Sequence, residues 1–478
     1  MNQRLVKSRI RHSIHLVVGW LAGSGLAVVS AWAEEAPAPA VAAPQPAPPA
    51  ADVTSGAPAA PTADPFWASM QATYIWQRKP DMPANYTYPD ANSLGTEAET
   101  GYTLSATLFL GARPWRNTEV LVNPETIQSQ NISGLHGLGG PSNGEAQKGG
   151  GPTPHLYLAR AFVRQSIALG GEATAVEPGP NQFAQATARR RLVITAGMMS
   201  ILDVFDGNQV THDARTQFLN WALLTHGAFD YAADARGYTW GLAVEYDHDN
   251  WAFRLGRFLT PKESNGQALD FDFIAHYGDN LEIEHTHNLR GRPGRIRVLG
   301  YRNHERMGAF ADAVSAATAT GATPTLDGVG VRRDQAKWGL GIAVDQALGR
   351  DATAFVRGSW NDGRTETYSF TEIDRSLALG ASMRGPLWRR PGDTVGTAFV
   401  VNGLSEAHRD YLSRGGHGFF IGDGQLNYRP EQLVEIYYSA LTFHHLWLSG
   451  DYQYVANPGY NRDRGPAQFL GVRLHLDM

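Results

Sequence analysis

The sequence predicts an all-β protein, a transmembrane antiparallel β-barrel. This rests on period-two alternation in segment after segment, charged residues confined to the face opposite the apolar one, and short turns alternating with long connections. Trp240, Leu242, Val244 and Tyr246 alternate with Gly241, Ala243, Glu245 and Asp247. After Asp247–Asn250, Trp251, Phe253 and Leu255 alternate with Ala252, Arg254 and Gly256. A period of two puts the two sets on opposite faces of a strand. Arg and Glu share their face with Gly and Ala, and aromatic residues mark the strand ends. That is the pattern of a barrel with an apolar exterior, an uncrowded wet interior and interfacial Trp and Tyr.

Taken in order, the chain begins with Arg4, Lys7, Arg9 and Arg11, then the apolar stretch Leu16 to Val29, then Ala31-Trp32-Ala33 before Glu34. Charge, length and a small-x-small site predict a secretory signal peptide over residues 1–33. Residues 34–65 are rich in Ala and Pro, cannot form a core, and read as an extended spacer. The barrel is expected over residues 66–478. No later stretch is long and apolar enough for a helical span. No segment of convincing length shows helical periodicity.

Further strands follow the same rule. Tyr102, Leu104, Ala106, Leu108 and Leu110 alternate with Thr103, Ser105, Thr107 and Phe109. Trp338, Leu340, Ile342 and Val344 alternate with Gly339, Gly341, Ala343 and Asp345. Leu377, Leu379, Ala381 and Met383 oppose Gly380, Ser382 and Arg384, and Leu470, Val472, Leu474, Leu476 and Met478 oppose Gly471, Arg473 and His475. Short turns are expected at 247–250, 290–294, 349–351 and 389–392, and long connections at 134–154, 209–237, 302–334 and 402–429. Such asymmetry suits short periplasmic turns and long outer loops.

The net charge is −5, and removal of the four leader cations leaves −9, which argues against nucleic-acid binding. There is no cysteine, so disulfide and thiolate chemistry are excluded. A mean hydropathy of −0.31 fits a barrel, in which only alternate strand residues meet lipid. No Walker loop occurs, and the Gly-x-Ser-x-Gly match Gly140–Gly144 stands in a long irregular connection rather than at a strand-to-helix elbow. His285 and His287 share a face with Leu281 and Ile283 and read as interface residues rather than metal ligands. No catalytic residue, metal or cofactor is expected.

Charges on the polar face are the remaining signal. Glu119, Asn123 and Glu125 share a face; Arg160 and Arg164 flank Phe162; Glu282 and Glu284 alternate with Leu281 and Ile283; Arg254, Arg357 and Arg384 occupy similar slots. Facing lipid at midplane, each charge would cost about 2–4 kcal/mol, so these residues should point into the lumen. A mixed lining of arginines, acids and aromatics suits neutral polyhydroxylated solutes, whereas one sign of charge would suit ions.

Asp213–Trp221 and His226–Trp240 resemble the carbohydrate-selective porins of the OprB type. So do Gly197–Phe205, Leu281–His287, Thr365–Asp374, Asn427–Glu431 and Asp451–Tyr460. The likeness spans residues 66–478. It implies a monomeric barrel of 16 strands in the bacterial outer membrane, passing small sugars such as glucose by passive diffusion. Arg160, Arg164, Glu125, Arg254 and Glu282 are expected to contribute to the constriction. Asp213, Arg215, Asn220, Trp221, Asp230, Asp234 and Arg236 would fold in to narrow it. Expected partners are sugars, outer-membrane lipid and, through the C-terminal strand, the assembly machinery. Ending in Met478 instead of an aromatic residue departs from the usual signal. A general or ion-selective porin and an outer-membrane barrel enzyme are the alternatives.

Overall fold

A computed structural model describes residues 65–88 and 91–478. The expected signal peptide and all but the last residue of the expected spacer lie outside the described residues. The strands are β1 (Phe66–Lys79), β2 (Glu99–Ala112), β3 (Thr118–Gln130), β4 (His155–Val176), β5 (Gln185–Met199), β6 (Thr239–His248), β7 (Trp251–Phe258) and β8 (Tyr277–Leu289). They continue as β9 (Arg292–Gly308), β10 (Arg332–Ala347), β11 (Ala352–Asn361), β12 (Arg375–Gly385), β13 (Arg390–Gly403), β14 (Glu431–Phe443), β15 (Leu446–Ala456) and β16 (Ala467–Asp477). Each pairs antiparallel with its sequence neighbours, and β1 pairs with β16, so the 16 strands close into a barrel. Closure leaves no unpaired edge for lipid to meet. It runs through the last residue: Met70 and Met478 exchange both backbone hydrogen bonds, at 2.8 and 2.9 Å.

The alternation becomes an inside and an outside. In β8, Leu281 is 52% exposed on the outer wall, while Glu282 beside it is wholly buried. His285 lies outside too, its ring 4.3 Å from that of Trp251. Outer aromatics gather at both rims. Trp338 and Trp360, 4.8 Å apart, mark the end with long loops, and Trp251, Trp388 and Tyr438 the end with short turns. Tight turns such as Asp249-Asn250 and Arg290-Gly291 join the strands at that second end, with positive φ at Asp249, Arg290 and Gly291.

Two sequence expectations are corrected. The connection expected over 302–334 is shorter, because Asn303, Glu305 and Met307 keep the inward alternation and carry β9 to Gly308. Helices occur in loops, the two longest among the described residues being α1 (Phe310–Thr320) and α2 (Glu406–Ser413). The Ala- and Thr-rich α1 has no large-residue stripe to announce it; it buries Phe310, Ala313 and Ala317 against a cap containing Tyr411, Leu412, Phe420 and Tyr460.

Leu340 lies half-exposed on the outer wall at the middle of β10. Replacing it (Leu340→Arg) should lower the free energy of folding into lipid vesicles by about 2–4 kcal/mol, read by urea titration of tryptophan fluorescence. An unchanged midpoint would remove Leu340 from the lipid face.

Candidate functional site

Three outer loops build the interior. L2 (residues 131–154) and L6 (362–374) enter the mouth, and L3 (200–238) passes deep into the lumen. Its polar backbone cannot be buried without partners, and inward residues of the wall supply them. The Glu435 carboxylate on β14 accepts from the amides of Leu219 (2.5 Å) and Asn220 (3.1 Å). Arg473 on β16 donates to the carbonyls of Ala214 (2.7 Å) and Gln217 (2.6 Å). Tyr301 and Asn303 on β9 donate to the carbonyls of Ala228 (2.9 Å) and Asp230 (2.5 Å).

Charge pairs add to this. The Lys337 ammonium on β10 meets the Asp230 carboxylate at 2.9 Å, and that carboxylate also accepts from the amides of Tyr368 and Ser369 in L6. Arg357 on β11 donates to Asp206 at 3.1 Å and to the Leu223 carbonyl at 2.9 Å. Arg215 of L3 bridges Glu125 on β3 and Glu145 of L2, both at 2.8 Å. Close approach is possible because the wall is small there: a Cβ at Gly278 would stand 2.5 Å from Ala232, and one at Gly341 2.7 Å from the His226 ring.

L3 fills one side and leaves the other wet. Towards β11–β16, Phe218, Ala222, Leu223 and Ala228 pack with Phe355, Val400, Leu433, Tyr437 and Phe469 into an apolar cluster. Against β4, with Gln71 of β1 and Phe109 of β2, a cavity of about 410 Å³ remains. Of the residues expected from the sequence, it gathers Arg160, Arg164, Asp213, Arg215, Trp221 and Arg236. Arg160 makes a two-pronged pair with Asp203, both bonds at 2.7 Å, and lies 5.1 Å from the Tyr238 ring. Arg164 donates to Glu119 at 3.1 Å, and the Arg236 guanidinium lies 4.4 Å from the Tyr157 ring. Trp221 stacks on Phe370 at 4.8 Å, and its indole N–H has no partner among the described residues.

The other expected residues lie outside this cavity's lining. Glu125 and Glu282 are wholly buried; Glu125 holds Arg215, and Glu282 accepts from the Asp206 amide (2.6 Å) and from Arg254 (2.6 Å). Asn220 caps the short helix Trp221–Leu224, Asp230 ties L3 to β10 and L6, and Asp234 accepts from the amides of Arg236 and Tyr238 to shape their turn. Arg254 faces a second cavity of about 470 Å³ under β5–β7.

There the charges form a ladder across strands. Arg191 meets Asp247 at 2.7 Å; Arg254 bonds Glu245, Glu282 and Glu284; Arg297 meets Glu284 at 2.8 Å and Asp345 at 2.5 Å. Sequence reasoning missed Glu145, Lys148, Asp203 and Tyr238, which complete the first cavity. Glu145 and Lys148 stand in a Gly- and Asn-rich loop without periodicity, so only an arginine in need of a carboxylate could have pointed to them.

A family profile described as "Carbohydrate-selective porin, OprB family" matches residues 91–478. No curated protein sequence matches the chain. The high-pH structure of Pseudomonas putida OprB is similar, with TM-score 0.65 and 14% identity over 86% of this chain and 94% of that one. Its low-pH structure is similar at TM-score 0.47 and 11% identity, covering 86% of this chain and 92% of that one. The outer membrane channel DcaP of Acinetobacter baumannii is similar at TM-score 0.46 and 10% identity, covering 86% and 97%. At 14% identity, the first likeness speaks for the fold alone.

Acid should loosen L3. Burial raises the Asp206 carboxyl, but Arg357 and His226 outweigh it and hold it down to about 2. Burial pushes the His226 imidazole from 6.5 down to about 4, against the pull of Asp206. Both groups bind protons more readily in the unfolded chain, so their stabilisation is lost as pH falls. His226 loses its share between 6.5 and about 4, and Asp206 between 3.8 and about 2. Thermal unfolding at pH 7 and pH 4 should show a smaller acid shift for His226→Gln than for wild type; equal shifts would acquit His226.

Proposed function

Because the chain belongs to the OprB family of carbohydrate-selective porins, we propose that monosaccharides such as glucose cross it through the cavity that L3 leaves against β4. The protein is an outer-membrane channel and not an enzyme. The observation that carries the finer reading is that most charges of the wet wall are paired. Arg160 with Asp203, Arg164 with Glu119 and Arg215 with Glu125 and Glu145 present donors and acceptors without a strong field of either sign. Such a wall exchanges hydrogen bonds with sugar hydroxyls and gives an ion little reason to enter. Trp221, Tyr231, Tyr238 and Phe162 offer rings for the C–H faces of a pyranose.

In this reading Arg160, Arg164, Arg215, Trp221, Arg236 and Asp213 touch solute. Glu125, Glu282, Asn220, Asp230 and Asp234 position L3, and Arg254 belongs to the periplasmic vestibule. Outward apolar residues around the whole wall support a monomer. β16 is the strand the assembly machinery would engage. Residues 1–33 would be removed on export, and 34–65 would remain as a spacer.

Proteoliposomes should swell in glucose and not in charged solutes of similar size. A hydrogen bond to a charged group is worth about 1.5–3 kcal/mol, so Arg160→Ala with Arg164→Ala should reduce that discrimination about tenfold or more. Unchanged permeation of every solute would overturn the assignment of both arginines. Strong cation or anion preference in planar bilayers would sink the sugar reading itself.

A further inference from the structure

The ribbon of β4 and β5 returns into the lumen. β4 runs for 22 residues, and its pairing with β5 slips between Ala168 and Gly170 and again between Gly170 and Ala173. Gly170 has φ +114° and Gly171 φ +84°, conformations that a residue with a Cβ resists. The ribbon bends there, and its tip, residues 177–184, folds into the periplasmic mouth. Phe183 anchors it. This ring is 3% exposed, lies 6.0 Å from Trp67 and sits 4.3 Å from the Arg113 guanidinium. Asn123 donates to the Asn181 side chain at 2.8 Å, and Arg164 to the Asn181 carbonyl at 3.1 Å.

The tip stands where the two wet cavities meet. Asn181 and Gln182 line the cavity of about 410 Å³, and Gln182 also lines the one of about 470 Å³. Residues common to both linings are Phe162, Arg164, Gln182 and Asp203. Three of them belong to β4 or L3; Gln182 comes from the turn.

We propose that the β4–β5 turn forms a second constriction of the pore, on its periplasmic side, with Gln182 and Asn181 as specificity-determining residues. It rests on the channel reading above. A solute leaving the L3 constriction must pass between Gln182 and the Arg164–Asp203 side of the neck. The neutral amides there exchange hydrogen bonds with hydroxyls, and the infolded tip limits the width.

The chain has no cysteine, so a single introduced thiol can be modified after the barrel has folded. In Gln182→Cys, a trimethylammonioethyl methanethiosulfonate should lower single-channel conductance in KCl and glucose flux several-fold, with no effect on wild type. Gln182→Gly should instead raise disaccharide flux relative to glucose several-fold. A Gln182→Cys barrel shown by mass to be modified, yet conducting as before, overturns the proposal. So does Gln182→Gly with wild-type size discrimination. If modification blocks a channel that shows no preference for sugar, the second constriction stands and the sugar reading falls.

Discussion

The arrangement depends on the desolvated bonds that hold L3 against the inner wall. A barrel of this girth leaves inward charges that water would otherwise solvate, and L3 displaces that water. Each such charge then needs a partner, because breaking a buried pair by removing one member costs about 3–5 kcal/mol. Lys337 finds Asp230, Arg357 finds Asp206, Arg215 finds Glu125, and Arg473 and Glu435 find the loop's own carbonyls and amides. These contacts come from β3, β10, β11, β14 and β16, so L3 is fixed from several directions. A loop held that way narrows a pore without closing it.

The side on which the pore remains follows from what L3 presents to each wall. Phe218, Ala222, Leu223 and Ala228 meet an apolar surface on β11–β16, and burying it excludes water there. Towards β4 the loop presents Asp203, Asp213 and Arg236, which border the open cavity. The paired ladder of Arg191, Arg254 and Arg297 with their carboxylates carries the same balance of sign on the periplasmic side. Pairing also orients each guanidinium, so its remaining N–H groups point in set directions. A neutral molecule with many hydroxyls suits such a wall better than an ion does.

Several details were open to reading from residues alone. The inward placement of Glu119, Glu125 and Glu282 follows from the cost of a charge in hydrocarbon and needs no knowledge of the fold. Met478 keeps the β16 alternation, and its backbone closes against Met70 whatever its side chain. By contrast α1 was invisible, since alanines pack as a helix only where Leu326, Tyr411 and Phe420 happen to lie above them. The inward return of residues 177–184 was equally hidden, because Phe183 reads as a turn residue until Trp67 and Gly111 are seen beneath it.

By itself the sequence determined that the strands are two-faced, which face is wet, and which end carries the long loops. Period two and turn length are local properties, and a lipid surround makes the choice of face unambiguous. Only the tertiary structure decided which wet-face charges border the open path and which are spent on holding L3. Arg215 and Glu125 are 90 residues apart, Lys337 and Asp230 are 107, and Asn220 and Gln453 are 233. Partners that distant are chosen by how a loop fills a closed ring, which no neighbouring residue records.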